Sequence, residues 1–106
     1  MLARIWTGQT RADDADAYAA YLERTGLRDY RATPGNRGVL ALRRIDGDRA
    51  TFTLVTLWDS LASIEAFTGP DVERARYYPE DERFLLSLPE RATHYEVVSD
   101  PSGVRP

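Results

Sequence analysis

"VLALRRIDGDRATFTLVTLW", Val39 to Trp58, decides the fold. Asp46-Gly47 at its centre is a hairpin signal, because this dipeptide supplies the positive φ that tight turns between antiparallel strands need. Val39 to Ile45 therefore reads as one strand and Thr51 to Trp58 as its returning partner. In the returning strand Phe52 and Leu54 fall on one face, Val55 and Leu57 on the other. A strand that is apolar on both faces is covered on both sides.

Toward the N-terminus, Leu2 to Gly8 reads as a strand with Ala3 and Ile5 on one face and Arg4 and Trp6 on the other. Thr10 and the carboxylates Asp13, Asp14 and Asp16 mark a helix start, where caps and negative charge suit the positive end of the dipole. Ala15, Tyr18, Ala19 and Leu22 then form an apolar helical stripe that Gly26 stops. Leu27 to Thr33 reads as a further short helical turn before the loop "TPGNRG". Toward the C-terminus, Ser60 caps a second long helix carrying Leu61, Ile64 and Phe67, which ends at Gly69-Pro70. Asp71 to Tyr78 is weakly helical. Pro79 opens a short helix anchored by Phe84, Leu85 and Leu88 and ended by Pro89. The closing stretch "RATHYEVV" alternates, with Thr93, Tyr95 and Val97 against His94, Glu96 and Val98.

The order β-α-β-β-α-β predicts an α+β, ferredoxin-like fold with a four-stranded antiparallel sheet. Helices cover one sheet face. The other is bare, yet Leu40 and Leu42, or Val55 and Leu57, would be exposed on it. A large bare apolar face predicts association. Two sheets packed face to face would make a homodimer, a dimeric α/β barrel. Residues 1–99 form the expected domain, and 100–106, "DPSGVRP", a loose tail with only Val104 to hold it.

The 106 residues are 42% hydrophobic and 29% charged, an ordinary globular composition. A domain this small buries only about two-thirds of its unfolded surface, so a pocket shared between subunits would ease the limit on a private cavity. The net charge of −3 argues against nucleic-acid or anionic-membrane partners. All 14 basic residues are arginine, so no lysine chemistry is available. Cysteine is absent, which removes disulfides, thiolate nucleophiles and cysteine-ligated metals. No apolar signal region follows Met1, and no run approaches the roughly 20 apolar residues of a membrane span. The expected location is the cytoplasm.

Several segments resemble the antibiotic biosynthesis monooxygenase family of dimeric α/β barrels. They are "FTLVTLWDSLASIEAF", a strand ending in Trp-x-Ser that runs into a helix, then "GPDVERARYY", the opening "ARIWTG…ADAY" and the closing "HYEVV". The resemblance covers nearly the whole chain. It implies an enzyme, because that family includes cofactor-free oxygenases of polyketide anthrones alongside haem-degrading monooxygenases. The haem-degrading branch needs an asparagine on the first strand, a tryptophan late in the second helix and a histidine about ten residues later. Here the first strand has Arg4 and Trp6 but no asparagine, the helix position matches Phe67, and the histidine position falls at Tyr77. The resemblance therefore points away from haem degradation, although tyrosine can ligate ferric haem. It points to a monooxygenase without cofactor or metal, acting on a small aromatic or polyketide-like molecule. The alternatives are an oxygen-independent cyclase, isomerase or dehydratase, and a non-catalytic dimeric binding module.

The expected catalytic residues are His94, Tyr77 and Tyr78; the expected substrate-binding residues are Arg4, Trp6, Trp58, Phe67, Arg43 and Glu96. His94 titrates near neutrality, as a general base must. With the last strand beside the first, His94 and Glu96 share a face with Arg4 and Trp6, and Glu96 would pair with Arg4. The bland reading makes His94 one more strand residue. Trp58 is better explained as a plug between sheet and helix. Trp6, placed opposite the helix-facing set, suits a pocket or a dimer interface. Tyr77 and Tyr78 precede a proline that extends the chain. Their phenols would either donate to an oxyanion or anchor the loop. One of Arg43 and Arg44 points inward, toward a substrate anion or a salt bridge.

Overall fold

In the computed structural model, which describes residues 1–100, β1 (Leu2–Arg11) leads through a 3-10 turn (Ala12–Asp14) into α1 (Ala15–Arg24) and α2 (Gly26–Ala32). The hairpin β2 (Asn36–Asp46) and β3 (Arg49–Trp58) follows, then α3 (Leu61–Thr68), α4 (Asp81–Phe84) and β4 (Thr93–Glu96). The strands form one antiparallel sheet in the order β2-β3-β1-β4, the α+β ferredoxin-like arrangement. Of the expected tail, all but Asp100 lies outside the described residues.

The hairpin turns one residue later than its dipeptide implies. Asp46 pairs with Arg49, and Gly47 takes the first central position with φ 62°. The strands run longer than their apolar cores. Thr10, read as part of a helix start, lies within β1 and is fully buried. Gly26 does not stop a helix but begins α2; the break falls at Thr25 (φ −123°, ψ −97°), whose hydroxyl donates to the Tyr21 carbonyl 2.7 Å away. Ser60 caps α3, its hydroxyl accepting from Ser63 N–H at 3.3 Å.

Asp71 to Tyr78 is not helical. Its backbone is engaged elsewhere: Ala75 N–H donates to the Glu90 carbonyl, Ala92 N–H donates to the Glu73 carbonyl, and Arg74 bridges to Arg91. Chain 71–77 is thus laid against the approach to β4. Leu88, expected as an anchor, is 37% exposed, whereas Phe84 and Leu85 are buried.

Strand parity settles the faces. Arg4, Trp6, Phe52, Leu54, Thr56 and Trp58 are buried under the helices. Trp6 therefore belongs to the helix-facing set rather than opposite it. The opposite face carries Ile5, Val55, Leu57 and the exposed side chains of Leu40 (56%), Leu42 (48%) and Tyr95 (53%).

Candidate active site

The site is built between the helices and the inner face of the sheet. β1 presents Arg4 and Trp6 on one sheet face, two residues apart as strand alternation requires. α1 and α2 lay Tyr18 and Tyr30 over that face, α3 contributes Phe67, the irregular chain before α4 brings Arg76, Tyr77 and Tyr78 across the opening, and α4 begins with Asp81. These residues close around a cavity of about 30 Å³, room for about one or two water molecules.

Its walls are tied by specific bonds. The Arg4 guanidinium donates to the Arg74 carbonyl (2.9 Å), the Tyr30 hydroxyl (3.3 Å) and the Val72 carbonyl (3.5 Å). Trp6 Nε1–H donates to the Tyr77 hydroxyl at 3.0 Å, and that hydroxyl donates onward to the Pro89 carbonyl. The Tyr78 hydroxyl donates to Asp29 Oδ2 at 2.6 Å. Asp81 accepts from the Tyr78 backbone N–H, which fixes the turn that carries both tyrosines. Arg76 lies over the rings of Phe67 (4.8 Å) and Tyr78 (5.2 Å) at the mouth, partly exposed and 3.7 Å from Asp29.

Burial dominates the electrostatics. It raises the phenol pKa values of Tyr18, Tyr30, Tyr77 and Tyr78, and for Tyr78 the bond to Asp29 adds to the effect. At Tyr77 the Trp6 N–H works the other way, favouring the phenolate. Burial also raises the carboxyl pKa of Asp81, which is 4% exposed. Asp29 is held below the usual carboxylate range, chiefly by the Tyr78 hydroxyl.

The structure brings Arg4, Trp6, Phe67, Tyr77 and Tyr78 together in one wall system and leaves four other candidates outside it. His94 pairs with Arg4 across β4 and β1, so the two share the helix-side face, yet it does not line the cavity. Its Nε2 is buried without a hydrogen-bond partner, and burial followed by the Arg4 charge lowers its pKa. Glu96 sits opposite Leu2, exposed, and forms no ion pair with Arg4, whose donors are taken up by carbonyls and a phenol. Trp58 is wholly buried behind Phe67 and Tyr30, its Nε1–H donating to Thr56 Oγ1 at 2.8 Å. Arg43 is a surface residue bonded to Asp16 at 2.7 Å. Tyr18, Tyr30, Arg76 and Asp81 join the wall, beside Leu22, Thr25, Gly26 and Leu54, without having been singled out as site residues from the sequence. Tyr18 belonged to the predicted helical stripe, but nothing in the pattern separates a cavity-lining tyrosine from a core one.

No protein-family model and no curated protein matches the chain. Solved structures do. The chain is similar to a point mutant of MhuD with two manganese protoporphyrin IX groups bound per active site, at 21% identity and TM-score 0.57, over 94% of this chain and 97% of that one. It is equally similar to the heme-degrader MhuD from Mycobacterium tuberculosis with two hemes bound in its active site, at 21% identity and TM-score 0.56, over 94% and 98%. The likeness shows a shared fold. It also overturns the expected function: a cofactor-independent monooxygenase was favoured and haem degradation set aside, yet the matching structures are of a haem-degrading protein. That dismissal rested on the absence of an asparagine from the first strand and on Phe67 and Tyr77 at the other two positions. The described residues contain no helix long and apolar enough to cross a membrane.

Proposed function

We propose that this chain binds haem as its substrate between the helices and the inner sheet face and degrades it oxidatively. The observation that carries the reading is the Tyr77 hydroxyl. It accepts from Trp6 N–H in the wall of a pocket that also presents the rings of Tyr18, Tyr30, Phe67 and Tyr78 and the Arg76 cation. The residues fit the ligand's chemistry. Trp6, Tyr30, Phe67 and Tyr78 offer flat apolar surface to a macrocycle. A phenol oxygen suits ferric iron once its proton is lost, and the Trp6 N–H offsets part of the burial that opposes that loss. Arg76 suits a carboxylate at the solvent edge.

A cavity of about 30 Å³ is far too small for a porphyrin, so binding requires the irregular chain 69–80 to withdraw from the sheet and the Tyr77–Pro89 bond to break. A groove of about 450 Å³ on the outer side of that chain shares Tyr77 as a wall.

The same reading includes a homodimer formed through the bare sheet face, whose exposed Leu40, Leu42 and Tyr95 support it. Titration of the full chain with hemin, read by the shift of the haem absorption band, tests the proposal. Saturable binding at micromolar hemin is expected, with a changed band position in Tyr77→Phe and loss of the band when oxygen and a reductant are supplied. Absence of saturable binding refutes it. A band that saturates but survives oxygen and reductant refutes degradation alone.

A further inference from the structure

Arg4 is 1% exposed, the most deeply buried charged side chain among the described residues. Its three acceptors, the carbonyls of Val72 and Arg74 and the hydroxyl of Tyr30, are all formally neutral. No carboxylate forms an ion pair with it among the described residues. The one buried carboxyl at the cavity, Asp81, is bonded to Tyr78 N–H instead. A cation taken out of water without a counter-charge is strongly unfavourable. Fastening two carbonyls and a phenol needs only hydrogen-bond donors, which a neutral amide also has. The positive charge is thus unexplained by the fold. A guanidinium has five N–H donors; three are used here, and the group lines the cavity. The charge is felt locally: it opposes the upward shifts of Tyr30 and Tyr77 and adds to the lowering of His94.

We propose that the Arg4 wall of the cavity is a carboxylate subsite, in which Arg4 neutralises a carboxylate carried by the ligand. A water-sized space beside an unpaired guanidinium suits a single such group, and the planar fork of arginine matches its two oxygens. For a haem substrate the group is a propionate, and the identity of the ligand rests on the function proposed above. The subsite itself does not, because a small carboxylate can report on it alone.

The test uses the full chain and two probes. Thermal melts are recorded with sodium formate against sodium chloride at equal ionic strength, for wild type, Arg4→Gln and Arg4→Lys. Wild type should show a saturable rise in Tm specific to formate. Arg4→Gln should show none, and Arg4→Lys, which keeps the charge but loses the fork, should need about tenfold more formate or greater. If Arg4→Gln gives no cooperative melt, the lysine variant decides. No formate-specific rise in wild type, or an equal rise in every folded variant, overturns the subsite. Hemin and its dimethyl ester are titrated separately, and the ester should bind about tenfold more weakly or worse. A formate response lost with Arg4, together with no hemin binding, upholds the subsite and refutes the haem reading. Equal binding of hemin and ester overturns the propionate assignment while haem binding stands.

Discussion

Gly8 lies on β1 two residues beyond Trp6, on the same face, and the indole is folded back over it. A Cβ added at Gly8 would stand 2.4 Å from Trp6 Cη2 and 2.6 Å from Cζ2, with Leu85 Cδ2 at 3.3 Å. Real Cβ atoms do not come so close, so Gly8→Ala must turn the indole. Trp6 is 6% exposed and has no free volume to turn into except the water-sized cavity. Overpacking of this kind costs about 1–3 kcal/mol. Displacing Nε1 from the Tyr77 hydroxyl adds about 0.5–1.5 kcal/mol. Replacing glycine in a strand returns about 0.5–1 kcal/mol. The net is a loss of about 2 kcal/mol, a fall in Tm of about 10 °C for a domain of this size. Thermal and urea unfolding followed by circular dichroism measure it. In a Tyr77→Phe background the penalty should shrink by the hydrogen-bond share, since that bond is already gone. Gly26→Ala is the control of opposite sign. Its nearest atom is Tyr78 Cε2 at 3.8 Å, ordinary contact, so α2 should gain about 0.4–1 kcal/mol. A Gly8→Ala protein as stable as wild type would refute the placement of the indole, and with it the Trp6–Tyr77 link on which the site depends.

Three further outcomes follow from the same structure. His94 has a folded pKa below its ordinary 6.5, so the unfolded chain binds its proton more readily and stability falls as pH drops below about 6.5; urea midpoints at pH 7.5 and 5.5 should differ less in His94→Gln than in wild type, and equal differences would sink the assignment. Asp81 has a raised folded pKa, so its ionisation is unfavourable in the native state and that cost grows as pH rises from 3.8. Asp81→Asn, which keeps an acceptor for Tyr78 N–H, should gain on wild type between pH 4 and 7, and a gap that stays constant with pH would refute this. Leu40→Glu, placed on the bare face where Leu40 is 56% exposed, should sediment as a monomer at micromolar concentration with an unchanged far-ultraviolet spectrum, whereas an unaltered dimer would move the interface elsewhere.

The hairpin, the strand order and the sheet faces were legible because they rest on period-two alternation and one turn dipeptide. That His94 shares a face with Arg4 followed from the same parity, but the expected partner was Glu96, and the register sets His94 opposite Arg4 instead. Which face the helices cover was misassigned for Trp6, because alternation gives two faces without saying which is inside. Asp71 to Tyr78 has a weak helical pattern that loses to tertiary bonds: Arg4 and residues 90–92 take the carbonyls and amides a helix would use. Arg76, Tyr30 and Asp81 could not be picked out as site residues, since their roles come from where that irregular chain crosses the helices. The choice of chemistry leaned on three residue identities, and the solved structures that share the fold are of a haem-degrading protein.

Of the four strands, β1 is made first yet completed last. It stands between β3 and β4, with Leu2 opposite both Trp58 and Glu96, and Val97 N–H donates to the Met1 carbonyl. During synthesis its outer edge has no partner until nearly the whole chain has emerged. Such long-range pairing raises the contact order, which slows folding. Until β4 arrives, Arg4 and Trp6 lie on a strand with an open edge, the condition under which a nascent chain is most open to aberrant pairing. A chain stopped at Pro89 would keep the hairpin and its partner strand but remain in that state, open along the edge where His94 belongs.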